Sequence, residues 1–245
     1  MKPQQTSLDR GLRLLALIQE RGELRLAQLI EELGSSRATV FRALSTLQAH
    51  GFVEHDRASR AYRLGPALRS GQSPAIVQQT TPALQELVEQ TGETAGLLIV
   101  HGRRMRFAAL VEGTYGVRFQ ASVGDEVAAN ANAGGKAILA SLTSAQRDGF
   151  LGSEPYPGYT QRTIVRRAPL EWDLESVRER GYAVDDQETE LGTRGVAAAI
   201  LGPGNRPLGA IVVAAPSTRL SPAEAPSLGR TIAHHCARVG TQLPQ

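Results

Sequence analysis

The sequence predicts an α+β protein in two parts: three short helices with a β-hairpin, then an antiparallel sheet flanked by helices. Three observations predict it. Apolar residues before position 50 recur at helical spacing between glycine stops. Short apolar runs beyond position 93 come in pairs separated by turn residues, as hairpins do. Helical stretches fall among those runs without strict strand–helix alternation, which favours α+β over a doubly wound sheet. The 245 residues suffice for two cores.

The elements follow in order. Thr6-Ser7-Leu8-Asp9 fits a capping box, a hydroxyl followed three residues later by an acid. Leu8, Leu12, Leu15 and Ile18 continue at helical spacing until Gly22. Leu26, Leu29, Ile30 and Leu33 mark a second helix, ended by Gly34. Ser36 suits the N-cap of a third helix, because its hydroxyl can accept a free backbone N–H. Val40, Ala43, Leu44 and Leu47 form that helix's core stripe. Two short helices joined by a tight glycine turn have the helix-turn-helix shape. Phe52-Val53-Glu54-His55, a turn at 56–60 and Ala61-Tyr62-Arg63-Leu64 read as strand, turn and strand, a wing.

Pro66 to Pro82 reads as a hinge with a helical portion. Thr81-Pro82 reads as a helix start with proline in the first turn, continued by Leu84, Leu87 and Val88 and ended by Gly92. Expected strands cover 94–101, 104–112, 117–121, 182–185, 195–201 and 208–214. Gly202-Pro203-Gly204-Asn205 joins the last two as a hairpin. Expected helices cover 134–142, 144–151, 170–180 and a closing 222–239. The expected division is a winged helix-turn-helix domain at 1–67, a linker at 68–81 and a second domain at 82–245.

Composition narrows the function. The net charge of +3 is unevenly spread. Residues 1–70 hold 11 cations and 7 anions, while residues 71–245 hold 16 and 17. A basic N-terminal unit on a nearly neutral body suggests contact with a polyanion. No apolar run approaches the roughly 18 residues that span a bilayer. The N-terminus lacks the apolar centre of a signal peptide. The single cysteine, Cys236, excludes an internal disulfide framework. The expected location is the cytoplasm, with no membrane partner. None of the common cofactor fingerprints appears, and no cofactor is expected.

The third helix carries the sharpest signal. At 100° per residue, Ala38, Phe41, Arg42 and Ser45 lie opposite the core stripe, with Thr39 on the flank. A bare phenylalanine and an arginine on a solvent face fit a recognition helix in a major groove. Arg42 suits a phosphate or a guanine edge, and Phe41 or Ala38 a thymine methyl. Arg37, at the helix start beside Ser36, suits a phosphate. Arg57 and Arg60 at the wing tip have no apolar surface to cover, and suit phosphates or the minor groove. The bland alternative is a solvated face, with Phe41 packed on a neighbouring domain. The wing and the charge asymmetry favour DNA.

These residues resemble the IclR family of bacterial transcription regulators across nearly the whole chain. The N-terminal markers are Leu8-Asp9-Arg10-Gly11-Leu12-Arg13-Leu14-Leu15, the third helix, Gly51-Phe52-Val53-Glu54 and Tyr62-Arg63-Leu64-Gly65. The C-terminal markers are Thr91-Gly92-Glu93-Thr94, Gly135-Lys136-Ala137 and Gly181-Tyr182-Ala183-Val184-Asp185-Asp186 leading to Gly192. The resemblance implies a winged helix, a linker helix and a GAF-like effector-binding domain. It implies dimers, often paired into tetramers, on palindromic operators. It maps effector contacts to Ala133 and Gly134 before Gly-Lys-Ala, with Gly135 beside them, and to Asp185, Gly195, Val212 and Ala214. Family members that bind small 2-oxo acids commonly carry cysteine where Gly195 stands and serines where Val212 and Ala214 stand. The substitutions here imply a larger or less polar effector, aromatic or apolar in character.

Other constellations weigh less. Asp185-Asp186-Gln187-Glu188-Thr189-Glu190 is acidic, but an extended segment points Asp185 and Asp186 to opposite sides, against one metal site. Lys136 reads as an exposed lysine paired with an acid, with the backbone N–H groups beside it available to an anion. His234-His235-Cys236 reads as partly buried packing on the closing helix. The expected function is a DNA-binding transcription regulator, read as a repressor, modulated by a small effector. Two rivals stand beside it: a small hydrolase or isomerase using Asp185 and Lys136, and a DNA-binding protein whose second domain only oligomerises.

Overall fold

The computed structural model describes residues 7–56, 59–65 and 74–243. It divides into two compact units, Met1–Pro74 and Ala75–Gln245.

The first unit begins with α1, Ser7–Arg21. Gly22, at φ +80°, closes it with an N–H to the Ile18 carbonyl. The expected stripe is corrected here: Leu8 and Leu12 are exposed, and the buried face runs through Leu14 and Ile18. Thr6, the expected cap, lies outside the described residues. A short strand that patterning does not reveal, β1 (Glu23–Arg25), precedes α2 (Leu26–Leu33). Gly34 ends α2 in the left-handed region at φ +58°. The third helix, α3, spans Arg37–Ala49. Ser36 caps it, accepting the Thr39 N–H, and Val40 and Leu44 are buried. The wing is β2 (Val53–Asp56) paired antiparallel with β3 (Ala61–Leu64), and β3 also pairs with β1. One cluster joins the helices to the wing through Leu14, Ile18, Leu29, Val40, Leu44, Val53 and Tyr62.

The second unit opens with α4, Pro74–Thr91. The expected helix start at Thr81-Pro82 is corrected: Pro82 lies inside this helix. Pro82 brings no N–H to the ladder, a local cost of roughly 3 kcal/mol. Burial of Ile76, Leu84, Leu87 and Val88 in the core offsets it. The six-stranded sheet runs in the order β6-β5-β4-β9-β8-β7, with all pairings antiparallel. Its strands are β4 (Thr94–His101), β5 (Arg104–Val111), β6 (Glu126–Val127), β7 (Ala183–Asp186), β8 (Thr193–Leu201) and β9 (Pro207–Pro216). Residues 117–121, expected as a strand, are irregular. Side chains take carbonyls there: Arg219 binds Val117 O and Thr94 binds Phe119 O.

Alternation along the strands divides the core in two. Leu97, Ile99, Val213 and Ala215 share one face with α4 and the closing helix α8, Ala225–Gln242. Leu98, Ala197 and Val212 share the other with α5 (Ala133–Ala140) and α7 (Arg167–Arg180). A further short helix, α6, covers Ser144–Leu151. No helix among the described residues is long and apolar enough to cross a membrane.

Candidate functional site

In the first unit, α3 presents Arg37, Ala38, Phe41, Arg42 and Ser45 to solvent. Phe41 is 52% exposed, an unusual state for a phenylalanine on a helix with a formed core face. The hydroxyls are used locally. Ser36 and Thr39 oxygens lie 2.9 Å apart, and Ser45 donates to Phe41 O at 2.9 Å. Arg37 and Arg42 make no ion pair among the described residues. In the wing, Arg60 is exposed at φ +55°, and Arg57 lies outside the described residues. A basic, partly aromatic helix face with such guanidiniums can take phosphate and base edges.

In the second unit, register brings the other predicted residues together. Asp185 pairs with Gly195, Gly195 with Ala214, and Ala214 with Thr94, one row across four strands. Val212 stands two residues from Ala214, on the same face, in the row Ala183–Ala197–Val212–Gly96. The first turn of α5 lies over both rows. A Cβ at Gly195 would sit 3.4 Å from Ala133 Cβ and 3.6 Å from Asp185 Cβ. A Cβ at Gly134 would sit 2.6 Å from Val212 Cγ2. Gly135 does not join them; it faces the backbone of Ala128 and Ala129.

The polar groups of this cluster are largely committed. Asn132 caps α5, its Oδ1 accepting Gly134 N–H at 2.9 Å and Gly135 N–H at 3.4 Å. Those two N–H groups are therefore not free for an anion. Asp185 is buried and holds the turn after β7. Its Oδ1 accepts Glu188 N–H at 2.7 Å and Thr189 N–H at 3.3 Å, and its Oδ2 accepts the Thr189 hydroxyl. Burial pushes the Asp185 carboxyl above its ordinary value despite these donors and Lys136. Asp186 turns the other way, to Arg194 at 3.0 Å and Arg162 at 2.8 Å.

The expected exposed Lys136 is corrected: it is 1% exposed. Its Nζ pairs with Glu188 Oε1 and, at 2.9 Å, with Asp173 Oδ2. A buried ammonium is retained only with such partners. Burial pushes Glu188 up to about 7 against the pull of Lys136, and the Asp185 and Asp173 carboxylates add to the rise. On α8, His235 and Cys236 are buried and His234 is exposed. Burial pushes the Cys236 thiol up to about 12, so it is inert. Among the described residues, no His/Cys/Asp/Glu group of three or more could hold a metal.

Sequence reasoning missed Asn132 and Thr94. The run Asn132-Ala133-Gly134 before an apolar stretch carried an N-cap signal that could have been read. Thr94 had none, since its partner Phe119 is 25 positions away.

A helix-turn-helix with a wing, its third helix bare and basic, joined to an α+β unit with an antiparallel sheet defines a DNA-binding transcription regulator. The IclR helix-turn-helix domain model matches residues 7–57, and the bacterial transcriptional regulator IclR C-terminal model matches residues 70–239. The chain belongs to the IclR family. It is 34% identical to the HTH-type transcriptional regulator BhcR of Paracoccus denitrificans, over 89% of this chain and 80% of that one. It is 33% identical to the transcriptional repressor IclR of Escherichia coli, over 88% and 81%. It is 32% identical to the acetate operon repressor of Salmonella typhimurium, over 92% and 85%. Among solved structures, a putative IclR regulator from Silicibacter matches with a TM-score of 0.64 and 28% identity, covering 97% of this chain and 95% of that one.

Proposed function

We propose that this chain represses transcription from a palindromic operator, as a homodimer or a dimer of dimers, and that a small effector modulates its binding. The observation that carries the DNA reading is the α3 face, where Phe41 is exposed and Arg37 and Arg42 make no ion pair among the described residues. Two relatives named as repressors support the sign of the effect. The effector reading rests on the convergence of Ala133, Gly134, Asp185, Gly195, Val212 and Ala214 on one sheet face. That face offers methyl groups and committed polar atoms, which suits a neutral ligand with apolar surface.

An enzyme built on Asp185 and Lys136 is disfavoured. The lysine is held by two carboxylates and the aspartate by three donors, so neither is poised to move a proton. Footprinting with the full-length chain on the DNA flanking its own gene tests the proposal. A protected inverted repeat, surviving excess competitor DNA at fixed salt, is the expected result. Protection that vanishes equally with any competitor would reduce the chain to a non-specific DNA binder.

A further inference from the structure

The segment from Gly113 to Ala121 follows β5 and belongs to no helix or strand. Its attachments are nonetheless specific. Phe119 and Ala121 pack against the cluster that contains Leu98, Ala133 and Val212. Thr94, the fourth member of the Asp185–Gly195–Ala214 row, donates its hydroxyl to Phe119 O at 2.8 Å and accepts Gly113 N–H at 3.1 Å. Both ends of the segment are thus held by Thr94, on the same sheet face as the proposed effector position.

The other attachments go to the end of α4. Thr114 N–H donates to Gly92 O at 2.9 Å. Gly92 is at φ +71°, and a Cβ there would lie 2.5 Å from the Tyr115 ring. Only glycine allows this approach. Arg219, from the turn after β9, locks the arrangement. It donates twice to Glu93, through Nε at 2.5 Å and Nη2 at 2.9 Å, and Nη2 also donates to Val117 O at 2.7 Å. Its guanidinium lies 4.4 Å from the centre of the Tyr115 ring. A two-pronged arginine–carboxylate pair with a third bond to a carbonyl fixes direction as well as distance.

We propose that residues 113–121 form a coupling strap, which carries occupancy of the Asp185–Gly195–Ala214 position to α4 through the Arg219–Glu93 buckle. The helix α4 is the element that continues the chain from the DNA-binding unit. The inference rests on the effector reading above. A ligand at that row would act on the strap through Thr94, which holds Phe119 O and the Gly113 N–H. The strap cannot shift there without pulling on Gly92 and Glu93, because Thr114, Val117 and Tyr115 are anchored to them directly or through Arg219.

The test places a stand-in ligand at a known position. A Gly195→Cys variant of the full-length chain has room for the new Cβ, 3.4 Å from Ala133 Cβ, and its labelling is counted against the parent chain, whose one thiol, Cys236, is buried. Benzyl methanethiosulfonate then attaches a benzylthio group to the introduced thiol through a disulfide, releasing methanesulfinate, and hydrogen exchange is measured with and without the adduct. The expected result is a change of about tenfold in exchange at Gly113 and Thr114, and also in the last turn of α4, residues 88–92, within the range of ordinary coupling. Adding Arg219→Ala should confine the change to the strap. Glu93→Gln, which keeps an acceptor, should do the same and guards against a folding defect in the first variant. An equal response of α4 with and without the buckle overturns the proposal, and so does an unmoved strap in the labelled parent. If the thiol does not react, the buried position has not admitted the reagent, and the strap is judged on Arg219→Ala alone. That variant should speed exchange at Thr114 and in residues 88–92, and unchanged exchange there rejects the buckle. Exchange is read without DNA, so a failed operator search leaves this outcome intact.

Discussion

Gly195 faces Ala133 at a distance that leaves room for one more carbon, whereas Gly134 faces Val212 at a distance that does not. A new Cβ would lie 3.4 Å from Ala133 Cβ in the first case and 2.6 Å from Val212 Cγ2 in the second. Gly195→Ala should therefore be neutral or stabilising by up to about 1 kcal/mol, since glycine in a strand loses more chain entropy. Gly134→Ala should cost roughly 1–3 kcal/mol, because Val212 and Leu98 must both yield in a packed core. Urea denaturation of both variants checks the pair. Equal stabilities would show that α5 can slide on the sheet.

The buried carboxylates predict an unusual pH dependence. Glu188 rises from 4.5 to about 7, and Asp185 is also raised, both by burial first. A raised carboxyl pKa means the folded state holds its proton longer than the unfolded state. That stability is complete below the unfolded values and is lost as pH climbs through the folded ones. Between pH 5 and 7 the Glu188 contribution should fall as pH rises, by at most about 1.4 kcal/mol per unit. Glu188→Gln should flatten the slope. A wild-type stability that climbs steadily from pH 5 to 7 would contradict the assignment.

Arg42→Ala should leave folding intact, since Arg42 is exposed on α3 and makes no ion pair among the described residues. It should cost roughly 1–3 kcal/mol of operator binding if the guanidinium reads a base edge. A gel-shift titration at fixed salt decides. Parent affinity would remove Arg42 from the interface.

The wing is proposed to touch the backbone of DNA. Replacing Arg57 and Arg60 by alanine should weaken specific and non-specific binding together. Each lost phosphate contact should reduce the log–log salt slope by about 0.9. Parent slope in the double variant means that the tip does not reach DNA.

What was legible in the sequence was local. Ser36, the Val40–Leu44 stripe and Gly34 fixed α3, because a cap, a period and a stop each act within one turn. The β8–β9 hairpin was legible from its Gly202-Pro203-Gly204-Asn205 turn, but the pairing of β9 with the distant β4, which completes the row, was not. Three features were not, each for a tertiary reason. Pro82 suggested a helix start, but the core on either side of it holds α4 together. Val117, Phe119 and Ala121 alternate like a strand, yet their segment's carbonyls are taken by side chains at positions 94 and 219. Lys136 looked exposed because its buried partner Glu188 stands 52 positions away. Of the proposed effector residues, the family resemblance supplied the positions; that Asn132 already occupies the N–H groups of Gly134 and Gly135 was missed in the sequence, although its N-cap signal was there, and came from the fold.

That last point sharpens the prediction on ligand class. A small 2-oxo acid needs donors for its carboxylate, each worth roughly 0.5–1.5 kcal/mol. Gly195, Val212 and Ala214 supply no side-chain donors, and the Gly134 and Gly135 N–H groups are engaged by Asn132. Thr94, the next member of the row, already donates to Phe119 O. The charged group nearest the row is the buried Asp185, which repels an anion, while Lys136 is held by two carboxylates. Apolar burial works the other way. At about 25 cal/mol per Å², a buried aromatic ring outweighs one or two missing hydrogen bonds. Pyruvate and glyoxylate should therefore bind weakly or not at all, and neutral aromatic or hydroxylated apolar ligands should bind better. Calorimetry on the full-length chain, with both classes in one panel, checks this. Tight binding of pyruvate or glyoxylate, with no binder among the neutral aromatics, would mean that the Asn132 cap opens to release its N–H groups.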